Sequence, residues 1–302
     1  MTALRTRVGS LDLDGLVMTA AGTSGYGAEL QAYGDLSELA AVVVKSLASF
    51  AWEGNPAPRV ASAGEAMINA VGLSGPGVEA WRRDYLPDLL THDATTVVSL
   101  WGRNVEEFAA AARDLAGAPV AALEINASCP NLEDRAHIFA HSATATAELV
   151  RACAGANLPL WVKLSPNTPD LVEVATAAVE AGAEAVTLTN TVLGLMIDIE
   201  TGRPSLGNGG GGVSGGPIFP VALRAVFDVR AALPDVAIVG VGGIGSGSDA
   251  VAMVMAGANA VQVGTASFAD PRAPWRIQKE VRQWLSAHGH DSIEAVRGSA
   301  HG

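Results

Sequence analysis

Eight short apolar runs punctuate the chain, and none of them alternates with polar residues. They are Leu16–Ala21, Ala41–Ser46, Thr96–Trp101, Ala121–Ser128, Leu160–Ser165, Ala185–Thr191, Ala237–Gly242 and Ala260–Thr265. A run of this kind is the pattern of a strand covered on both faces. Between most of them lie stretches with helical spacing. In Asn104–Leu115 the apolar positions Val105, Phe108, Ala112 and Leu115 fall on one face, and Asn104 is placed to cap the first turn. In Asp170–Ala181 the residues Leu171, Val174, Ala175 and Ala178 do the same. The tripeptide AGA recurs at Ala116–Ala118, Ala154–Ala156, Ala181–Ala183 and Ala256–Ala258, each time between a helical stretch and an apolar run. Gly117, Gly155, Gly182 and Gly257 are therefore predicted to end helices with positive φ. Strand–helix alternation with eight strands predicts an α/β fold, a (β/α)8 TIM barrel of one domain spanning residues 1–302. A doubly wound open sheet is the alternative.

Two segments interrupt the regular spacing. The connection after strand two, Leu47–Thr95, contains EGNPAPR and NAVGLSGPG and is predicted to be an excursion over the C-terminal mouth of the barrel. The glycine run Gly207–Gly216 is predicted to be a loop.

Composition and charge narrow the function. Lys and Arg number 19 against 31 Asp and Glu, a net charge of −12, which argues against nucleic acid or an anionic membrane as the main partner. The two cysteines, Cys129 and Cys153, are too few for a disulfide framework, and no leader or long apolar span is evident, so the expectation is a soluble protein of the cytoplasm. The six histidines form no close-spaced ligand set with either cysteine, and no metal is expected.

The polar residues fall at strand ends. Strand two ends in Lys45-Ser46, strand four in Asn126-Ala-Ser-Cys129-Pro-Asn131, and strand six in Thr189-Asn190-Thr191. Strand five carries Lys163 within WVKLS and ends in Ser165-Pro-Asn167. In a barrel these positions converge on the C-terminal mouth, where such enzymes place their chemistry. Gly242-Gly243 and Gly264-Thr265 follow strands seven and eight, the usual phosphate position, where bare N–H groups and a helix N-terminus can meet an anion from a substrate or from FMN. Lys163 and Lys45 read either as cations beside an electron-rich cofactor or as side chains snorkelling to the rim. Cys153, inside a helical stretch, reads as a small buried hydrophobe. Cys129, past a strand end among amides, reads as a nucleophile or proton acceptor. Asn69, Asn126, Asn131 and Asn190 together offer the uncharged donors and acceptors that suit a planar imide-like ring such as a pyrimidine.

With these residues in order, the chain resembles the class 1 dihydroorotate dehydrogenases. The resemblance covers about residues 10–275 and rests on AAGTSGYG, VVVKS, EGNPAPR, NAVGLSGPG, INASCPN, VKLSPN, LTNT, GGGVSGG, VGGI and VGTA. VKLSPN and LTNT are similar to the 1B branch, whose catalytic subunit works with an FAD- and iron–sulfur-carrying electron-transfer subunit. The resemblance implies FMN-dependent oxidation of (S)-dihydroorotate to orotate in pyrimidine biosynthesis by a homodimeric core. It implies that Cys129 is the base and that Lys45, Asn69, Asn126, Asn131, Asn190 and Thr191 hold the substrate, with the Gly72-Leu73 backbone beside them. It further implies that FMN lies against Ala20, Ala21, Gly22, Lys45, Ser46, Asn126 and Lys163, with its phosphate at Gly215, Gly242, Gly243, Gly264 and Thr265.

Two features depart from or refine the resemblance. After SCPN the 1B branch runs into a loop containing Gly-Gly, whereas this chain reads NLEDRAHIFAHSA. Asn131 stands where the related dihydropyrimidine dehydrogenase barrel carries His, which favours orotate over uracil. The competing readings are a dihydropyrimidine dehydrogenase or reductase on the same barrel, a non-catalytic flavin-binding assembly subunit, and a flavin-free barrel lyase or isomerase. The chain has no CxxC pattern and no convincing dinucleotide-binding GxGxxG, since GIGSGS at Gly243–Ser248 lacks the final glycine, so iron–sulfur or NAD chemistry requires another subunit.

Overall fold

The computed structural model describes residues 4–128 and 139–302. Eight parallel strands form its central sheet: β1 Val17–Thr19, β2 Val42–Leu47, β3 Thr96–Leu100, β4 Ala122–Asn126, β5 Leu160–Leu164, β6 Ala185–Leu188, β7 Ala237–Val241 and β8 Ala260–Val263. Each pairs with its sequence neighbour from β2 to β6, β7 joins β6, and β8 lies between β7 and β1. A parallel bridge between Met18 and Ala41 closes the ring, carried by Thr19 N–H to Ala41 O at 3.2 Å and Ala40 N–H to Val17 O at 2.9 Å. The fold is the (β/α)8 barrel that the spacing predicts. Most strands stop short of their expected C-terminal ends because the polar tips leave the ladder and turn into the mouth.

The helix expected after Asn104 is capped as its sequence predicts. The Asn104 side chain accepts from Glu107 N–H at 2.9 Å and starts Val105–Asp114, which buries Phe108 and Ala112. Gly117, Gly182 and Gly257 take φ of +69°, +111° and +118°. The fourth echo differs from expectation. Gly155 lies inside the short turn Ala154–Ala156, and the left-handed residue is Asn157 at φ +52°, a conformation that asparagine tolerates through local hydrogen bonding.

The excursion after β2 does cross the mouth. Its strands Val60–Ala63 and Ala66–Asn69 form a hairpin that continues into Gly211–Ser214 and then Val192–Gly194, a four-stranded antiparallel sheet. This corrects the reading of Gly207–Gly216 as loop, since its middle is a strand. Glycine is required there by close approach: a Cβ on Gly211 would overlap the Asn69 carbonyl, and one on Gly212 would overlap the Thr191 side chain. Mouth coverage thus comes from two excursions, one after β2 and one after β6.

At the opposite end, the hairpin Thr6–Val8 and Leu11–Leu13 plugs the barrel. Its Val8 and Leu13 pack with Met18, Val43, Val97, Trp161 and Val239 and with Ala122, Ala185, Ala237 and Ala260. One fully buried tryptophan among four alanines fills the lower interior, large against small. A second, larger core of Leu, Val, Ile and Ala joins the outer strand faces to the helices. Among the described residues, no helix is long and apolar enough to cross a membrane.

Candidate active site

The barrel interior changes character with height. Because strand side chains alternate, Ala122, Glu124 and Asn126 of β4 point inward in succession, as do Trp161 and Lys163 of β5. Above the apolar plug sits a polar layer. Glu124 is fully buried, and its Oε2 accepts from Gln262 Nε2 at 2.6 Å and from Thr187 Oγ1 at 3.0 Å. Its Oε1 lies 4.0 Å from the Lys163 ammonium, itself 5 % exposed.

The next layer is the mouth. Asn126 Nδ2 donates to Ser46 Oγ at 3.2 Å, and Ser46 shares a 2.8 Å hydrogen bond with Ser99 of β3. Asn126 Oδ1 accepts from Ser128 Oγ at 3.2 Å and from Asn190 Nδ2 at 3.3 Å. Asn190 Nδ2 also donates to Ser128 Oγ at 2.8 Å, while its Oδ1 accepts from Thr191 N–H at 2.8 Å. The tip of β5 clamps the tip of β6. Asn167 donates to Ser165 Oγ at 3.0 Å and to Thr191 O at 3.0 Å, and accepts from Leu193 N–H at 2.9 Å. The amides are therefore held in fixed orientations by other polar groups before any ligand arrives.

Over this layer opens a cavity of about 480 Å³, of the size that encloses a cofactor-scale ligand. Every expected site residue within the described chain lines it: Ala21, Gly22, Lys45, Ser46, Asn69, Gly72, Leu73, Asn126, Lys163, Asn190, Thr191, Gly215, Gly242, Gly243, Gly264 and Thr265. Cys129 and Asn131 lie outside the described residues. The Lys45 stem runs beside Gly22, where an added Cβ would stand 3.2 Å from its Cδ. Asn69 is anchored from the excursion by donating to Gly212 O at 3.3 Å. Sequence reasoning passed over Glu124, Thr187 and Gln262. The available signal was a carboxylate and an amide at the centres of otherwise apolar runs.

One of the two helix ends beside the glycine cradle is closed to an anion. The loop after β7 leads into the helix Gly247–Met255, but that helix's N-terminal N–H groups are already engaged. Asp249 Oδ2 accepts from Gly245 N–H at 3.0 Å, Ser246 N–H at 2.9 Å and Ser246 Oγ at 2.9 Å, and Glu280 takes Gly247 N–H at 2.6 Å. Any phosphate there meets loop backbone rather than this helix end. Gly242 and Gly243, at φ +129° and +73°, press against Ala222 and Phe219, so neither accepts a Cβ.

A second cavity, of about 660 Å³, lies at the other end of the barrel, near Glu184 and Ala237 at the starts of β6 and β7. Its arginines are paired with carboxylates: Arg5 with Asp14, Arg7 with Asp12, and Arg297 with Glu294. Cys153 is fully enclosed, and burial pushes its thiol up to about 12, so it is inert in the folded chain.

A closed parallel barrel with amides, lysines and a glycine cradle gathered at its C-terminal mouth has the architecture of a (β/α)8 enzyme. A sequence profile described as dihydroorotate dehydrogenase matches residues 3–285, and the chain belongs to that family. It is 41% identical over 292 residues to the dihydroorotate dehydrogenase B (NAD+) catalytic subunit of Alkaliphilus oremlandii, covering 96% of each chain. It is 42% identical over 302 residues to the protein of that name from Trichlorobacter lovleyi, covering 99% of each chain. With the one from Desulforudis audaxviator it shares 43% over 296 residues, covering 97% of this chain and 96% of the other.

Proposed function

We propose that the chain is the catalytic subunit of an NAD-linked dihydroorotate dehydrogenase, oxidising (S)-dihydroorotate to orotate with FMN as its resident flavin. The observation that carries this reading is the meeting, in one cavity, of a fixed amide pair (Asn126 and Asn190), two lysines (Lys45 and Lys163) and a glycine cradle at Gly215, Gly242, Gly243 and Gly264.

The residues present fit FMN. The cradle offers backbone N–H groups where side chains are sterically barred, which suits a phosphate, and the wall formed by Ala20, Ala21, Met67 and Val241 suits a flat ring system. Bound FMN supplies the hydride acceptor. Lys163, entering the cavity from the buried polar layer, favours negative charge on the ligand face above it. Asn126, Asn190 and Asn69, with Thr191 beside them, present donors and acceptors without net charge to the C=O and N–H edges of the substrate ring. Lys45 meets the substrate carboxylate. Gly72 and Leu73 bring the excursion's backbone against the same ligand. Cys129 follows Ser128 directly and takes the C5 proton. That proton is only weakly acidic, so a positioned base is needed, and a thiol of ordinary pKa about 8.5 becomes one when neighbouring donors favour its thiolate.

The relatives' names link their oxidation to NAD+. This chain carries no CxxC, and its glycine runs sit in the cavity's own loops rather than in a dinucleotide-binding unit, so electrons leave it for a partner subunit bearing those groups. Steady-state assays with a dye acceptor test the substrate assignment: dihydroorotate is turned over and dihydrouracil is not. Turnover of dihydrouracil at a comparable kcat/KM would transfer the assignment to the dihydropyrimidine branch.

A further inference from the structure

We infer that Glu124 is a positioning residue, a buried counter-charge that keeps the Lys163 ammonium charged and in place below the cavity and thereby sets the redox poise of the bound flavin. The inference rests on the flavin reading above and deepens it.

Three observations carry it. First, the Glu124 carboxylate is immobilised: both donors to Oε2, Gln262 Nε2 at 2.6 Å and Thr187 Oγ1 at 3.0 Å, belong to fully buried side chains from β8 and β6. Second, Oε1 has no hydrogen-bond partner among the described residues, although it is as buried as Oε2. A buried carboxylate oxygen left in this state is costly unless a nearby opposite charge compensates it. Third, that charge is present: Lys163 Nζ stands 4.0 Å away, at the outer limit of an ion pair, while Lys163 lines the cavity. At this separation the carboxylate neutralises the lysine electrostatically without consuming its donors in a short hydrogen bond. The lysine thus lines the cavity without a short bond to the carboxylate beneath it.

The surroundings contain few competing ionisable groups. Among the eight barrel strands only Lys45, Glu124 and Lys163 are ionisable. Glu65 and Asp249 reach the cavity from its rim, Asp249 already engaged by Ser246 and Gly245, and Cys129 follows β4.

The test uses Glu124→Gln, Glu124→Asp and the double variant Glu124→Gln/Lys163→Met. With the counter-charge removed, no buried carboxylate offsets the Lys163 charge. The midpoint potential of bound FMN in E124Q is expected to differ from wild type, with a pH dependence that wild type lacks. E124D is expected to follow the wild-type profile. A difference that stays at zero or constant across pH, or an E124D profile that matches E124Q, overturns the inference. A readout without flavin runs in parallel. The melting temperature of the FMN-free protein is expected to fall further in E124Q than in the double variant, because only the single variant strands a buried cation. Equal or greater loss in the double variant overturns the pairing. If wild type binds no FMN, the flavin reading fails while the melting comparison still decides whether Glu124 compensates Lys163.

Discussion

Two cysteines of one chain illustrate how placement decides chemistry. Cys153 sits in the helix Ala143–Cys153 with no exposure, and desolvation pushes its thiol up to about 12. The sign of the linkage follows: the unfolded chain releases this proton near the ordinary thiol pKa of about 8.5, the folded chain only near 12, so its contribution to stability is intact below the lower value and declines as pH rises between the two. Cys129 is the proposed base. Brief treatment with iodoacetamide should therefore modify one thiol per native chain and abolish turnover, and Cys129→Ser should lose on the order of 10²- to 10⁴-fold in kcat near neutrality while retaining flavin. Modification of Cys153 in the native chain, or full activity in Cys129→Ser, would contradict this assignment. Most of the cavity-lining residues were legible in the sequence because they stand at the ends of apolar runs. Glu124 and Gln262 were not, because a single polar residue in the middle of such a run carries no mark of whether it faces the interior or which partner it meets across the barrel.

Elements position those residues, and the tightest constraint falls where two excursions cross. Gly211–Ser214 bridges the hairpin Val60–Ala63/Ala66–Asn69 to Val192–Gly194, and its backbone passes directly under Thr191 and Asn69. Gly212→Ala should displace Thr191 and the Asn69 anchor together, raising KM for dihydroorotate about tenfold or more, since a 1 Å misplacement can cost on the order of 100-fold. Gly243→Ala, whose Cβ would stand 2.7 Å from Phe219 N, should instead weaken FMN retention. The two substitutions thus separate substrate from cofactor effects in parallel assays of KM and of flavin content after gel filtration. Unchanged KM in the first, or unchanged flavin content in the second, would contradict the geometry. A run of glycines reads as loop because glycine has low strand propensity, and nothing local reveals that a neighbouring strand needs the missing side chains. The bottom hairpin did leave a trace: Gly9-Ser10 between TRV and LDL is a two-residue hairpin signal.

At the scale of the molecule, the barrel is a gradient from apolar to polar along one axis. Trp161 and the alanines close the bottom, Glu124 and Lys163 form a buried ionic floor, and amides with glycine loops make the mouth. Strand count and order of chemistry were readable because parallel strands are short, apolar and regularly spaced. Closure was expected from the count of eight strands, but not the Met18–Ala41 bridge that makes it, since a barrel and an open sheet share the same local pattern. The central claim is that this mouth holds FMN and delivers dihydroorotate to it. Anaerobic titration of the purified protein with dihydroorotate tests it most directly: the account predicts a yellow protein whose visible flavin absorbance bleaches in proportion to the dihydroorotate added, with one orotate formed per flavin reduced. A colourless protein that takes up no FMN, or a flavin left oxidised by excess dihydroorotate, would contradict it.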